Sequence, residues 1–165
     1  MFSIGDTVTY GINGVCRIES ETTRKVKGEN KKYLVLKPVF QENATVYVPL
    51  DNESLVGRMK KTLTNEEAQN IIESIPQCKE EWISSDGERT KKFKEIMMSG
   101  DSKALTKMVR TLYLHREKQF AKGRKLHASD EHLLHDAENI LFGELALALG
   151  ILPEEVPAYI HEKIS

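Results

Sequence analysis

His127, Asp130, His132, His135 and Asp136 crowd one short stretch of this chain. Histidine with carboxylate is a donor set for zinc and other divalent ions. His132 and His135 stand three apart, a spacing that puts both on one helix face. A metal site, however, needs convergent ligands with partners behind them, and no cysteine joins this set. The plainer reading is a polar first turn of a helix, so neither a metal nor any other cofactor is expected. Other enzyme motifs are missing: there is no Walker loop, no dinucleotide glycine pattern and no Gly-x-Ser-x-Gly elbow. An enzyme is therefore not expected. Glu144 lies one turn after Ile140 and Leu141 and one turn before Leu147 and Ala148, on the border of an apolar stripe. A carboxylate there needs a cation. Arg110 is the candidate, and the expected role of Arg110 and Glu144 is a structural interhelical ion pair. One carboxylate without a paired acid or base does little chemistry.

The stronger signal is charge. Residues 89–125 hold twelve basic and three acidic side chains, a net +9. Residues 1–88 hold eleven basic and fourteen acidic, a net −3, and residues 126–165 hold one basic and eight acidic, a net −7. The overall net charge of −1 conceals this block, which is the kind of local field that attracts a polyanion. Its clusters are Arg89, Lys91, Lys92 and Lys94, then Lys122, Arg124 and Lys125. The only tryptophan, Trp82, stands just before the first cluster, beside Glu80 and Glu81 and ahead of Ser84-Ser85-Asp86-Gly87. If the helices that carry the clusters run antiparallel, both clusters flank Trp82. A cationic surface with one aromatic suits nucleic acid: cations neutralise phosphate, and an apolar ring can enter an opened base step. The competing reading folds Trp82 back as an anchor on the helical core.

These residues need elements to position them. The first ~50 residues read as short strands. Thr7–Tyr10 alternates, Gly11 to Gly14 turns, and Val15–Glu21 follows. Lys27-Gly28-Glu29-Asn30 turns again before Tyr33–Leu36 and Ala44–Pro49. Several short strands with no helix between them suggest a small barrel. From Leu63 the pattern becomes helical. Thr64 and Glu67 form a capping-box signature for a helix to about Ser74, and Pro76 ends it. A second helix runs from about Glu88 to Met98, with Ser99-Gly100-Asp101 as its break. The third carries Leu105, Met108, Val109, Leu112 and Tyr113 on one stripe. Ser129 is expected to cap a fourth, with Leu133, Ala137, Ile140, Leu141 and Leu145 inward, ending at Gly150. Pro153 opens a last short helix. The fold class is thus α+β multidomain: a β-domain over residues 1–55, a linker over 56–62 and a compact all-α helical domain over 63–165.

The totals agree. The composition, 39% hydrophobic and 30% charged, is that of a soluble protein with a modest core. No run approaches the roughly 18 apolar residues of a membrane span, and the N-terminus has no apolar h-region. Two cysteines, Cys16 and Cys78, in unrelated contexts do not make a disulfide scaffold, and a cytoplasmic location fits.

In this setting the sequence resembles the CarD/CdnL-type bacterial transcription regulators. The likeness rests on an ordered set. Phe2-x-x-Gly5-Asp6-x-Val8-x-Tyr10 comes first, then Gly14-Val15-x-x-Ile18, Lys27-Gly28-Glu29, Tyr33–Leu36 and Val46-x-Val48-Pro49. Trp82, Arg89, Ser99-Gly100-Asp101, Val109-Arg110-x-Leu112 and Gly143-Glu144-Leu145-Ala146 complete it. The resemblance implies a Tudor-like N-terminal barrel that docks on the RNA polymerase β subunit, similar to a domain of the transcription–repair coupling factor. It implies a C-terminal domain on promoter DNA at the upstream edge of the bubble, where a Trp wedges into the minor groove and stabilises the open complex. Trp82 matches that wedge. Arg24 matches a basic position used on the β subunit. Tyr47 stands where the family often has Arg, and a tyrosine can pack and hydrogen-bond there but not ion-pair. The stretch from Trp82 to Ser99 is longer than in some members, with the extra residues in Ser84–Glu88. The implied partners are therefore RNA polymerase and promoter DNA read largely without sequence preference, with no membrane, and a monomer is expected. Two rivals stand beside this reading: an adaptor whose barrel binds a peptide, and a metal-dependent enzyme on His127, His132 and His135.

Overall fold

The computed structural model describes residues 2–165. Five strands come first: β1 Thr7–Tyr10, β2 Val15–Val26, β3 Glu29–Pro38, β4 Val46–Pro49 and β5 Met59–Lys61. They form one antiparallel sheet in the order β4-β3-β2-β1-β5. The expected barrel is an open sheet, with β4 and β5 as its two edges rather than a pair. Both edge strands are short, and the small helix α1, Glu53–Val56, carries the chain from one edge to the other. Residues 56–62 were expected as linker. They instead contain β5, whose Met59 lies opposite Tyr10 and completes the β-core. A three-residue strand in a polar run has too little alternation to be read from sequence.

β2 and β3 form a long hairpin around Lys27-Gly28, both with positive φ (52° and 81°). That is the twist a tight two-residue hairpin turn demands, and glycine meets it without a Cβ penalty. The register shifts between Ile18 and Ser20, leaving Glu19 as a bulge. The bulge lets Cys16 and Ile18 point inward near the base of the hairpin while Ser20, Thr22 and Arg24 share one outer face farther out. Val8, Tyr10, Cys16, Ile18, Leu36, Val48 and Met59 make the β-core, with Leu55 and Val56 of α1 against it. Burial pushes the Cys16 thiol up to about 11, which leaves it an inert apolar side chain.

Five longer helices follow: α2 Asn65–Ser74, α3 Asp86–Ser99, α4 Ser102–Ala121, α5 Ala128–Leu149 and α6 Val156–Ile164. The capping box at α2 is present in both directions: Glu67 N–H donates to Thr64 Oγ1 (3.1 Å), and Thr64 N–H donates to Glu67 Oε1 (3.0 Å). Gly100 ends α3 at φ 75°, and Asp101 caps α4 by accepting from the backbone N–H groups of Lys103 and Ala104. Ser129 does not cap α5. The helix begins two residues earlier than that cap implies, with His127 at the cap position, and Ser129 sits in the first turn. The apolar stripes of α2 to α5 meet in one core that includes Ile72, Phe93, Leu112, Leu134, Leu141 and Leu145.

The two modules touch. A Cβ placed on Gly143 of α5 would lie 3.7 Å from both Val15 and Phe40, and one on Gly14 would lie 3.9 Å from the Ile140 Cα. Sheet and helix therefore approach at backbone distance. Among the described residues no helix is long and apolar enough to cross a membrane.

Candidate functional site

The connector between α2 and α3 carries Trp82, and the chain is pinned on each side of it. Glu81 N–H donates to the buried Thr111 Oγ1 (3.1 Å), and the Ile83 carbonyl accepts from Arg89 Nη1 (2.8 Å). The indole itself is half-buried and packs against the helical core. His115 of α4 stacks on it with ring centres 3.5 Å apart and planes 6° from parallel. The Arg89 guanidinium carbon lies 4.2 Å over the same ring. Two groups that close to one ring centre would overlap on a single face, so they take opposite faces. Trp82 is thus sandwiched, and the part left to solvent is its edge.

Arg89 is held in turn. Its Nε donates to Asp130 Oδ1 and its Nη2 to Asp130 Oδ2, each at 2.9 Å. Nη2 also donates to Asp86 Oδ1 at 2.7 Å. Arg89 and Asp130 are 1% and 0% exposed, while the Asp86 carboxylate stands in water. The Arg89 guanidinium hydrogen-bonded to Asp86 holds that carboxyl below its usual range. The sequence assigned Arg89 to DNA. The structure turns it inward: four donor contacts, to Asp130, Asp86 and the Ile83 carbonyl, hold its guanidinium against Trp82. On the other side, His115 Nδ1 is 3.5 Å from Glu80, and Lys118 also pairs with Glu80.

Trp82, Arg89, His115, Gln119, Arg124, Lys125 and His127 line one cleft of about 610 Å³. Arg124 and Lys125 are exposed there. Lys92 lies across the connector, beside Glu81, Ile83 and Lys107 in a separate groove. Lys91, Lys94 and Lys122 are exposed but line neither. Of the two basic clusters, Arg124 and Lys125 of the second and Arg89 of the first therefore share the cleft with Trp82, and Lys92 does not. His115 and the Asp130 clamp were not read from sequence. They stand 33 and 41 positions from their partners, and nothing local marks the pairing.

Asp130 is committed to Arg89, and His135 meets Asn139. Among the described residues no three His, Cys, Asp or Glu side chains gather as a metal site. The expected Arg110–Glu144 ion pair does not form. Glu144, 2% exposed, accepts from Ser102 Oγ at 2.6 Å, near the start of α4. Arg110 lies eight residues along that helix, about 12 Å away by helical rise, beside Tyr113, Leu141 and Ile160, and its buried Nε has no partner. Burial pushes the Glu144 carboxyl up to about 7, against the lowering pull of Ser102 and with a smaller push from Asp101.

On the sheet, Arg24 and Tyr47 do meet. The guanidinium carbon of Arg24 lies 4.2 Å over the Tyr47 ring, and Tyr33 meets Tyr47 edge-on with centres 6.5 Å apart. The register explains this: Lys31, Tyr33 and Val35 of β3 lie opposite Arg24, Thr22 and Ser20 on one side and end beside Tyr47 on the other, all on one outer face. Arg24 and Tyr47 are both exposed, next to the free edge of β4.

Two family models cover nearly all of the chain. Residues 2–61 match the CarD-like/TRCF RID domain, and residues 61–161 match the CarD C-terminal domain. The chain belongs to the CarD-like family. It is an RNA polymerase-interacting transcription regulator, and CarD-like families are regulators rather than enzymes. The boundary between the two CarD matches falls at Lys61, the last residue of β5, where the sheet ends.

Proposed function

We propose that this chain holds promoter DNA and RNA polymerase at once and stabilises the open complex. The outer face around Arg24, Tyr33 and Tyr47, with the free edge of β4, docks on the polymerase β subunit; strand edges are a recurring docking mode. Tyr47 supplies a stacking platform for Arg24 in place of a second cation. The helical module reaches DNA at the upstream edge of the bubble, inside the bacterial cytoplasm where the polymerase works. Arg124, Lys125 and Lys92 contact phosphate, and the edge of Trp82 enters the opened minor groove as a wedge. The observation that carries this reading is the sandwich of Trp82 between His115 and Arg89 beside exposed cations. It fixes an aromatic edge at a cationic cleft without leaving it free to collapse into the core. Tethering to polymerase raises the local concentration of a weak DNA binder. Tighter binding to opened than to closed DNA then shifts the equilibrium toward the open form.

The test is open-complex lifetime on one promoter with the cognate polymerase. The wild-type protein is expected to prolong it and Trp82→Ala to lose that effect while still binding polymerase. Equal prolongation by both would remove the wedge.

A further inference from the structure

We infer that Phe120 is a second aromatic contact for DNA, serving the junction where paired strands open. The inference rests on the DNA reading of the cleft proposed above. Phe120 is 58% exposed in the last turn of α4. Buried positions on that helix stop at Leu112, whereas Glu117, Lys118, Phe120 and Ala121 are all in water, so the last turn projects past the core. It is nevertheless held. Arg124 N–H donates to the Gln119 carbonyl (2.8 Å), Gly123 N–H donates to the Phe120 carbonyl (2.9 Å), and Gly123 at φ 70° reverses the chain.

That reversal places Lys122, Arg124 and Lys125 directly after the ring. None of the three forms an ion pair among the described residues. Gln119, just before Phe120, and Arg124 and Lys125, just after it, line the Trp82 cleft, so the ring is a chain neighbour of that lining on both sides. Its state is the opposite of that of Trp82. Both indole faces are occupied, while Phe120 stacks on no aromatic ring among the described residues. A single apolar side chain in water is ordinary. An exposed aromatic ring on a braced turn, followed by three unpaired cations of which two line the cleft that holds another aromatic, is arranged as a stacking platform. Cations draw phosphate to the turn. The ring then stacks on a base only where that base is unpaired or its step is opened. It carries no donor or acceptor, so it reads no sequence.

The experiment measures binding of the full chain to two labelled DNAs over a salt series. One is a closed duplex, and the other is the same duplex ending in an unpaired fork. Phe120→Ala is expected to weaken fork binding about ten-fold, to change duplex binding little, and to leave the salt slope and the melting temperature unchanged. Phe120→Trp is expected to keep the fork preference. A Lys122→Ala/Arg124→Ala double variant is expected to lower the salt slope for both DNAs by about 1 to 2. Wild-type binding that Phe120→Ala leaves unaltered on both DNAs overturns this inference alone. Equal weakening on both DNAs overturns the stacking on opened bases. If the wild type binds neither DNA in a salt-dependent way, the DNA reading of the cleft falls and this inference with it.

Discussion

At the scale of residues, the cleft depends on one buried charge pair. Arg89 and Asp130 lie almost wholly out of water, so removing either strands the other. Asp130→Ala is expected to cost about 3 kcal/mol in urea unfolding, whereas Asp86→Ala, whose carboxylate is solvated, should cost under about 1 kcal/mol. Trp82 fluorescence should shift to the red in the first variant only, because losing Asp130 frees Arg89 from the indole face. Glu144 gives a second, pH-dependent prediction. Its folded value, about 7, lies above the ordinary carboxyl value of 4.5, so folding favours the protonated form. The stabilisation is complete below about pH 4.5 and is lost as pH rises through 7. Glu144→Gln should remove that decline, so relative to wild type it gains about 3 kcal/mol between pH 4 and pH 8 in paired urea titrations. An unchanged pH profile in the variant would show that Glu144 is not the group responsible.

At the scale of elements, what local chemistry specifies is what the sequence revealed. The Thr64–Glu67 box, the Lys27-Gly28 turn, the Gly100-Asp101 break and the stripe of α4 each depend on neighbours within a few positions. The strands were located, but β2 and β3 are longer than their apolar runs because pairing across the hairpin extends them through polar residues. β5 and α1 went unread for the same reason: their order comes from packing on β1 and the β-core rather than from their own pattern. The connector around Trp82 has no regular structure at all. Its shape is set by two hydrogen bonds to residues of α3 and α4.

At the scale of the whole molecule, the sheet and the helical module are braced through α5. Gly143→Leu would drive a side chain into Val15 and Phe40 and is expected to cost about 1–3 kcal/mol by overpacking. The more informative consequence is functional. Polymerase binding should persist, since the Arg24–Tyr47 face is remote from Gly143 in the sheet, while prolongation of the open complex should weaken as the cleft is displaced. Equal activity with an unchanged solution radius of gyration would show that the contact does not align the two modules.

Residue order by itself determined the family likeness, the two-part architecture, the cap of α2, the core stripes and the presence of a basic block near one tryptophan. The likeness rests on an ordered set of residues along nearly the whole chain; the rest follow from periodicity, turn chemistry or composition, which act over short spans. Only the tertiary structure decided that Arg89 faces inward to Asp130, that His115 covers the second face of Trp82, that Glu144 meets Ser102 instead of Arg110, and that Arg24 lies over Tyr47. Each of these contacts joins positions far apart in the chain. Which partner a charge or a ring finds is set by helix length, strand register and the angle at which elements pack, and no local pattern carries that information.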